Sequence, residues 1–165
     1  MVTIQNKMTE INPIAVKIKE YLAGVDKLHV SVAGLDEADL DRFPVAGTWS
    51  VRQIVAHMVH MDAVACDRMM RILAENVPLL VDVDENAAIK AKLYDGMPID
   101  SLLELFALNR ELMAHALKQR PATDYERAGV HTQAGRMTLM DILTKYVKHA
   151  DHHVEFIEKK RSMLK

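Results

Sequence analysis

His149 and His153 stand four residues apart in the run His149-Ala150-Asp151-His152-His153. On a helix that spacing puts both imidazoles on one face, one turn apart. Two imidazoles so placed can hold one metal ion, with room for a third ligand from elsewhere. His57, in the run Ala56-His57-Met58, is the best candidate for it. Three neutral imidazoles leave an ion free to take a thiol or a water and to draw off its proton. Eight histidines in 165 residues also produce such a pair by chance, so its weight depends on the faces the three occupy.

The elements that must position them read as helices. Apolar Ile14, Ile18, Tyr21, Leu22, Val25 and Leu28 recur at steps of three and four, predicting a first long helix over residues 13–33, capped by Asn12 with Pro13 at its first position. A short turn of helix is expected at residues 36–41. A second long helix follows Ser50, a good N-cap, and runs to residue 76, where Pro78 stops it. A weaker helical stretch covers residues 84–94, and Asp95-Gly96-Met97-Pro98 ends it. The third long helix begins near Asp100, with Ser101 and Glu104 at capping-box spacing, and runs to residue 119. Residues 122–137 read as a long connection with two glycines. The fourth helix opens at Thr138, with Asp141 favouring its N-terminus, and runs to residue 161. No strand alternation is persuasive. The fold class expected is all-α: a single domain over residues 1–165, a four-helix bundle with a short extra helix between the second and third long helices.

The faces support the histidines as a set. One seam of the last helix reads Leu139, Ile142, Tyr146, His149, His153, Phe156, while Lys145, Lys148, His152, Glu155 and Lys159 form a solvated stripe. Two imidazoles interrupting an apolar seam need something to satisfy them, and bundle interiors are where bundles build metal sites. His57 shares a stripe with Ile54, Met61 and Val64, whereas His60 falls on a small, polar face. Asp62, at the margin of the apolar face, could orient a ligand histidine from behind; it could equally be a rim acid or a dimer contact. Tyr146, one turn before His149, is a weaker base candidate and reads better as a core aromatic. Cys66 reads as a small core residue, Asn109 as a satisfied core amide or a pocket polar group, His131 as a solvated loop histidine, and His29 and His115 as surface residues. Lys159-Lys160-Arg161 reads as a charge cluster complementing the helix dipole.

Composition narrows the classes. A net charge of -2 gives no electrostatic case for nucleic acid. No stretch approaches the ~20 apolar residues of a membrane span, and Met1 to Glu10 lacks the apolar run of a signal peptide. A single cysteine excludes an internal disulfide framework, and a reducing cytoplasm is the natural compartment.

Two segments carry a family resemblance. Thr48-Trp49-Ser50-Val51-Arg52-Gln53-Ile54-Val55-Ala56-His57 resembles the Trp-Ser-x-Arg-x-x-x-x-His signature of the DinB-like superfamily. Thr138-Leu139 through His149-Ala150-Asp151-His152-His153 resembles that family's last helix, which ends in His-x-x-His-His, and the Gly135-Arg136-Met137-Thr138-Leu139 entry also fits. The resemblance implies an up-down-down-up four-helix bundle, often dimeric, with zinc or nickel on three histidines. Position by position these are His57, His149 and His153, the three that the face analysis selects. Val154-Glu155-Phe156-Ile157 departs from the Arg-Gly-Gln often found after the last ligand, which sets this chain apart from the branch that carries it.

Family members of known function use low-molecular-weight bacterial thiols. The resemblance therefore points first to a metal-dependent thiol S-transferase acting on an electrophilic small molecule. A metal-dependent hydrolase on the same three histidines, and a non-enzymatic dimeric stress-related bundle, are the alternatives. A homodimer is also expected from the methionine-rich second helix (Met58, Met61, Met69, Met70), which carries more apolar surface than one seam requires.

Overall fold

The computed structural model describes residues 12–164. The reading of Met1 to Glu10 lies outside them. Four long helices make the frame: α1 (Pro13–Val32), α3 (Val51–Ala74), α5 (Ile99–Lys118) and α6 (Leu139–Met163). Short helices α2 (Glu37–Asp41) and α4 (Glu85–Lys90) sit on either side of α3 in sequence. α4 is the extra helix expected between the second and third long helices. α1 packs on α5 and α6, and α3 packs on the same two. Consecutive long helices α1 and α3 are thus not the neighbours that a simple hairpin would make them.

Local chemistry explains where these helices begin. The Asn12 side chain accepts from the backbone N–H of Ile14 and Ala15, with Pro13 in the first turn. Ser50 with Gln53 and Thr138 with Asp141 each form a complete capping box. Those two caps matter most here, because they fix the starts of the helices that carry His57 and the His149–His153 pair. The third long helix departs from expectation. It starts at Ile99 after Pro98, without a side-chain cap, so Ser101 and Glu104 form no capping box.

The connection over residues 122–137 is not featureless. A 3₁₀ turn (Ala122–Glu126) leads into β2 (Ala128–His131) and β3 (Gly135–Thr138), an antiparallel hairpin, with the two-residue β1 (Leu79–Leu80) parallel to β2. The strands are too short to show a period of two, which is why alternation does not reveal them. Gly129 is needed for close approach: a Cβ there would lie 2.8 Å from the Pro78 carbonyl oxygen. His131, expected in a solvated loop, is buried in β2. Its Nδ1 accepts from the backbone N–H of Gln133 and Ala134, so the imidazole braces the hairpin turn.

The core falls into two clusters, one toward each end of the bundle. α3 is the central helix and buries residues around most of its circumference. That absorbs Met58, Met61 and Met69 within the chain's own core and leaves only Met70 of the four exposed, so their number says little about a dimer. On α5, Leu105 and Leu112 are exposed. No helix among the described residues is long and apolar enough to cross a membrane.

Candidate metal centre

His57 comes from the first half of α3, and His149 and His153 from the middle of α6, where these two helices pack together. The His57 Nε2 lies 3.1 Å from the Nε2 of His149 and 3.1 Å from that of His153. The ligand atoms of the three lie within 4.8 Å of one another, and no other such group exists among the described residues. His57 is fully buried, and His149 and His153 are half-buried. The pair therefore flanks the apolar seam of α6 instead of sitting on its centre, which runs through Leu143, Val147, Ala150 and Val154. Phe156, expected on that seam, is exposed. A helix of 3.6 residues per turn drifts off a seam drawn at 3.5, which carries these positions to its edge. The edge is where a site needs them, because one side of the cluster then faces outward.

Burial holds all three imidazoles neutral. It lowers His57 to about 4, with help from His153 and His60; His149 to about 3, with help from His153 and His57; and His153 to about 4, with help from His152. The lone pairs are therefore available at neutral pH. The His57 Nε2 stands 3.1 Å from the nitrogen of each of the other two. Two ligands about 2.1 Å from a common ion stand about that far apart, so the donor set fits a divalent cation.

The low values have a consequence for stability without metal. Unfolding returns each histidine to an ordinary value of 6.5. Below that pH the unfolded chain binds protons that the native chain does not, so stability falls with pH. We expect metal-free protein to lose stability progressively from about pH 6.5 toward pH 4, and to be flat in this respect above pH 7. Urea midpoints at a series of pH values check this. A midpoint that rises as the pH drops through 6 would contradict it.

Residues of the Trp-Ser-x-Arg run set the position of His57. Ser50 starts its helix. The Trp49 ring packs 4.8 Å from the His57 ring and 6.5 Å from His153, nearly parallel to the latter. Arg52, buried, donates to Asp41 at 2.7 Å and to the Met97 carbonyl at 2.9 Å, clamping α2 and the α5 approach onto α3.

Asp62 does not serve the histidines. Its carboxylate accepts from Arg110 Nε at 3.0 Å and from the Tyr21 hydroxyl at 3.5 Å. The His57 Nδ1, which a supporting acid would accept from, is buried with no hydrogen-bond partner among the described residues. The reason is angular: five residues along a helix turn a side chain by roughly 140° from His57. Burial raises the Asp62 carboxyl to about 6, with Arg110 offsetting only part of the rise.

Tyr146 is a buried core aromatic whose ring lies 5.8 Å from that of His149. Its hydroxyl accepts from Arg68 at 3.1 Å, and burial pushes it up to about 12, which removes it as a base. Cys66 is buried, its thiol raised to about 12 by burial, and it donates to the Asn109 carbonyl at 3.4 Å. The Asn109 amide nitrogen is itself unpaired among the described residues. His60 is half-buried with its ring 6.0 Å from Tyr94. His152 is exposed and meets Phe156 edge-on.

One residue at the cluster was not foreseen. Glu85, at the start of α4, places Oε2 3.9 Å from the His57 Nε2 with its side chain half exposed. Nothing in its sequence context marks it, since an acid opening a short helix is an ordinary feature.

This constellation on this bundle places the chain in a class. It belongs to the DinB superfamily, whose family model matches residues 21–157. Similar proteins include one from Bacillus licheniformis, 31% identical over 140 residues that cover 83% of this chain and 78% of its own. Another, from Halalkalibacterium halodurans, is 27% identical over 141 residues, 86% of this chain and 82% of its own. Both are named as candidate metal-dependent hydrolases. Among solved structures, YfiT from Bacillus subtilis superimposes with a TM-score of 0.86 at 22% identity, covering 97% of this chain and 93% of its own. It is described as a candidate metal-dependent hydrolase with an unusual four-helix bundle topology. A mycothiol-dependent maleylpyruvate isomerase matches with a TM-score of 0.70 at 14% identity over 87% of this chain and 60% of its own. At these identities the structures attest the fold.

Proposed function

We propose that this protein is a metal-dependent enzyme in which His57, His149 and His153 hold a divalent ion, zinc or nickel. Its first reading is a thiol S-transferase that delivers a low-molecular-weight thiol to an electrophilic small molecule. The observation that carries the proposal is the convergence of three neutral Nε2 atoms at an outward-facing edge, with no fourth protein donor among the described residues in the set. Structural metal sites are closed by four protein ligands, and catalytic ones keep a position open. A divalent ion there supplies the positive charge that makes a bound thiol or water easier to deprotonate.

The chain's own residues do the rest. Trp49 packs against His57 and His153 and fixes their ring planes. Glu85, beside His57, receives the proton released by the nucleophile. In thiol transfer the sulfur forms a bond to the electrophilic carbon, the leaving group departs with the bonding pair, and the proton held by Glu85 neutralises it. The mycothiol-dependent isomerase, which shares the fold, supports the thiol reading. Hydrolysis is the second reading, favoured by the names of the sequence relatives. Water would then take the thiol's place, with the same histidines and the same proton acceptor.

Cobalt-substituted protein tests the choice. Titrated with bacillithiol or cysteine, it should develop a near-ultraviolet sulfur-to-cobalt charge-transfer band. Glu85→Gln should keep its metal while losing ~100-fold in rate. Absence of the band, together with thiol-independent ester cleavage, would leave the hydrolase reading.

A further inference from the structure

Beside the histidine cluster lies a chamber of about 380 Å³, with His153 as one of its walls. Its size is within the ordinary range for small-molecule sites. Trp49, Ile54, Phe156 and Met163 make its lining largely apolar, and Phe156 and Met163 are exposed there. Exposed apolar side chains around a concavity are what an apolar ligand would cover.

One residue breaks the pattern. Lys160 lines the same chamber and is 95% buried, with 5% of its surface exposed. Its Nζ donates to the Thr48 hydroxyl at 2.6 Å. No carboxylate among the described residues pairs with it. An ammonium group has three donors, and one hydroxyl accepts only one of them. Burying a cation without an anion is costly, and desolvation accordingly lowers the Lys160 pKa. The carbonyl end of α6 offsets part of that cost. Neighbouring Lys159 behaves as an ordinary surface cation: it is exposed, with its Nζ 5.5 Å from the Phe156 ring centre. The solvated, dipole-complementing cluster expected at residues 159–161 is thus divided, with Lys160 turned inward.

We propose that this chamber binds a small organic anion with an apolar body, a medium-chain carboxylate in chemical class. Lys160 takes the carboxylate, and the body lies along Trp49 and Phe156 toward His153. As the substrate class of the proposed enzyme this rests on the function given above; as a binding site it does not, because Lys160 and the apolar walls need no metal. A charge-assisted hydrogen bond from a desolvated ammonium gives the site its preference for an anion, and the lining gives it its preference for length.

Calorimetric titration of the full chain with octanoate, octanol and acetate tests this, on the parent, Lys160→Met and the His149→Ala variant. Octanoate should bind at least tenfold more tightly than octanol and at least 100-fold more tightly than acetate. Lys160→Met should lose tenfold or more for octanoate and stay within about threefold for octanol. The preference should survive in His149→Ala even if that protein holds no metal, which separates failure of the metal reading from failure of this one. Equal binding of octanoate and octanol by the parent would overturn the proposal, and this comparison needs no variant to fold. So would octanoate binding that disappears in His149→Ala and is unchanged in Lys160→Met, because the carboxylate would then be held at the histidines.

Discussion

The His149→Ala protein is expected to purify with little metal, while the parent, prepared without a histidine tag, carries close to one equivalent. The geometry behind this is direct. His149 supplies one of only three converging nitrogens, 3.1 Å from the His57 Nε2. Even residues that merely support a ligand cost about 10–100-fold in affinity when removed, so losing one of three ligands should cost more than that. Plasma mass spectrometry on both proteins, before and after incubation with zinc and with nickel, is the measurement. The variant should also keep its fold, because His149 is half-buried at the seam's edge. A parent that takes up no metal under any of these conditions would remove the enzyme proposal in both its forms. A variant that binds as well as the parent would remove His149 from the ligand set.

Replacing Arg110 by leucine is expected to destabilise the protein by about 3–5 kcal/mol, because it strands a buried charge. Arg110 is 1% exposed, as is Asp62, to which it donates from Nε at 3.0 Å. The remaining guanidinium nitrogens donate to the Tyr21 carbonyl at 2.6 Å and the Tyr146 carbonyl at 3.1 Å. One side chain on α5 thereby ties α1, α3 and α6 together. Its guanidinium carbon also lies 4.3 Å from the ring centres of Tyr21 and Phe106. Gly24 makes the arrangement possible, since a Cβ there would fall 2.2 Å from an Arg110 nitrogen. Leucine removes three hydrogen bonds and leaves Asp62 with only the distant Tyr21 hydroxyl. In a chain of this size the loss corresponds to a fall in Tm of roughly 10 °C or more. Urea denaturation at unchanged slope is the check. The double variant Asp62→Leu with Arg110→Leu should recover part of the loss, since it removes the stranded charge. A single variant costing under about 1 kcal/mol would mean that Asp62 finds another partner or takes up a proton cheaply.

These two sites differ in how far the sequence reveals them. The i,i+4 spacing of His149 and His153, the apolar stripe carrying His57 and the caps at Ser50 and Thr138 are local facts. Helix periodicity converts them directly into faces and starting points, so the helical frame and the three-histidine set are legible from the chain. The limits of that reading are equally physical. Helical wheels assign a direction but not a neighbour. Asp62 shares α3 with His57, yet its neighbour is Arg110, which comes from 48 positions away. Lys160 reads as one cation in a terminal cluster until the packing of α6 turns it into the chamber shared with His153. Glu85 reaches the histidines because α4 packs back on α3, a placement that no local pattern encodes. Strands of two to four residues are too short to carry a period, so the hairpin that buries His131 stays hidden as well. By itself the sequence determined four amphipathic helices and which histidines on the long helices come together, because periodicity and capping act between residues a turn or less apart. The tertiary structure alone decided which acid accompanies which base and which cation is buried without an anion, because those outcomes depend on contacts between helices that the chain order does not make neighbours.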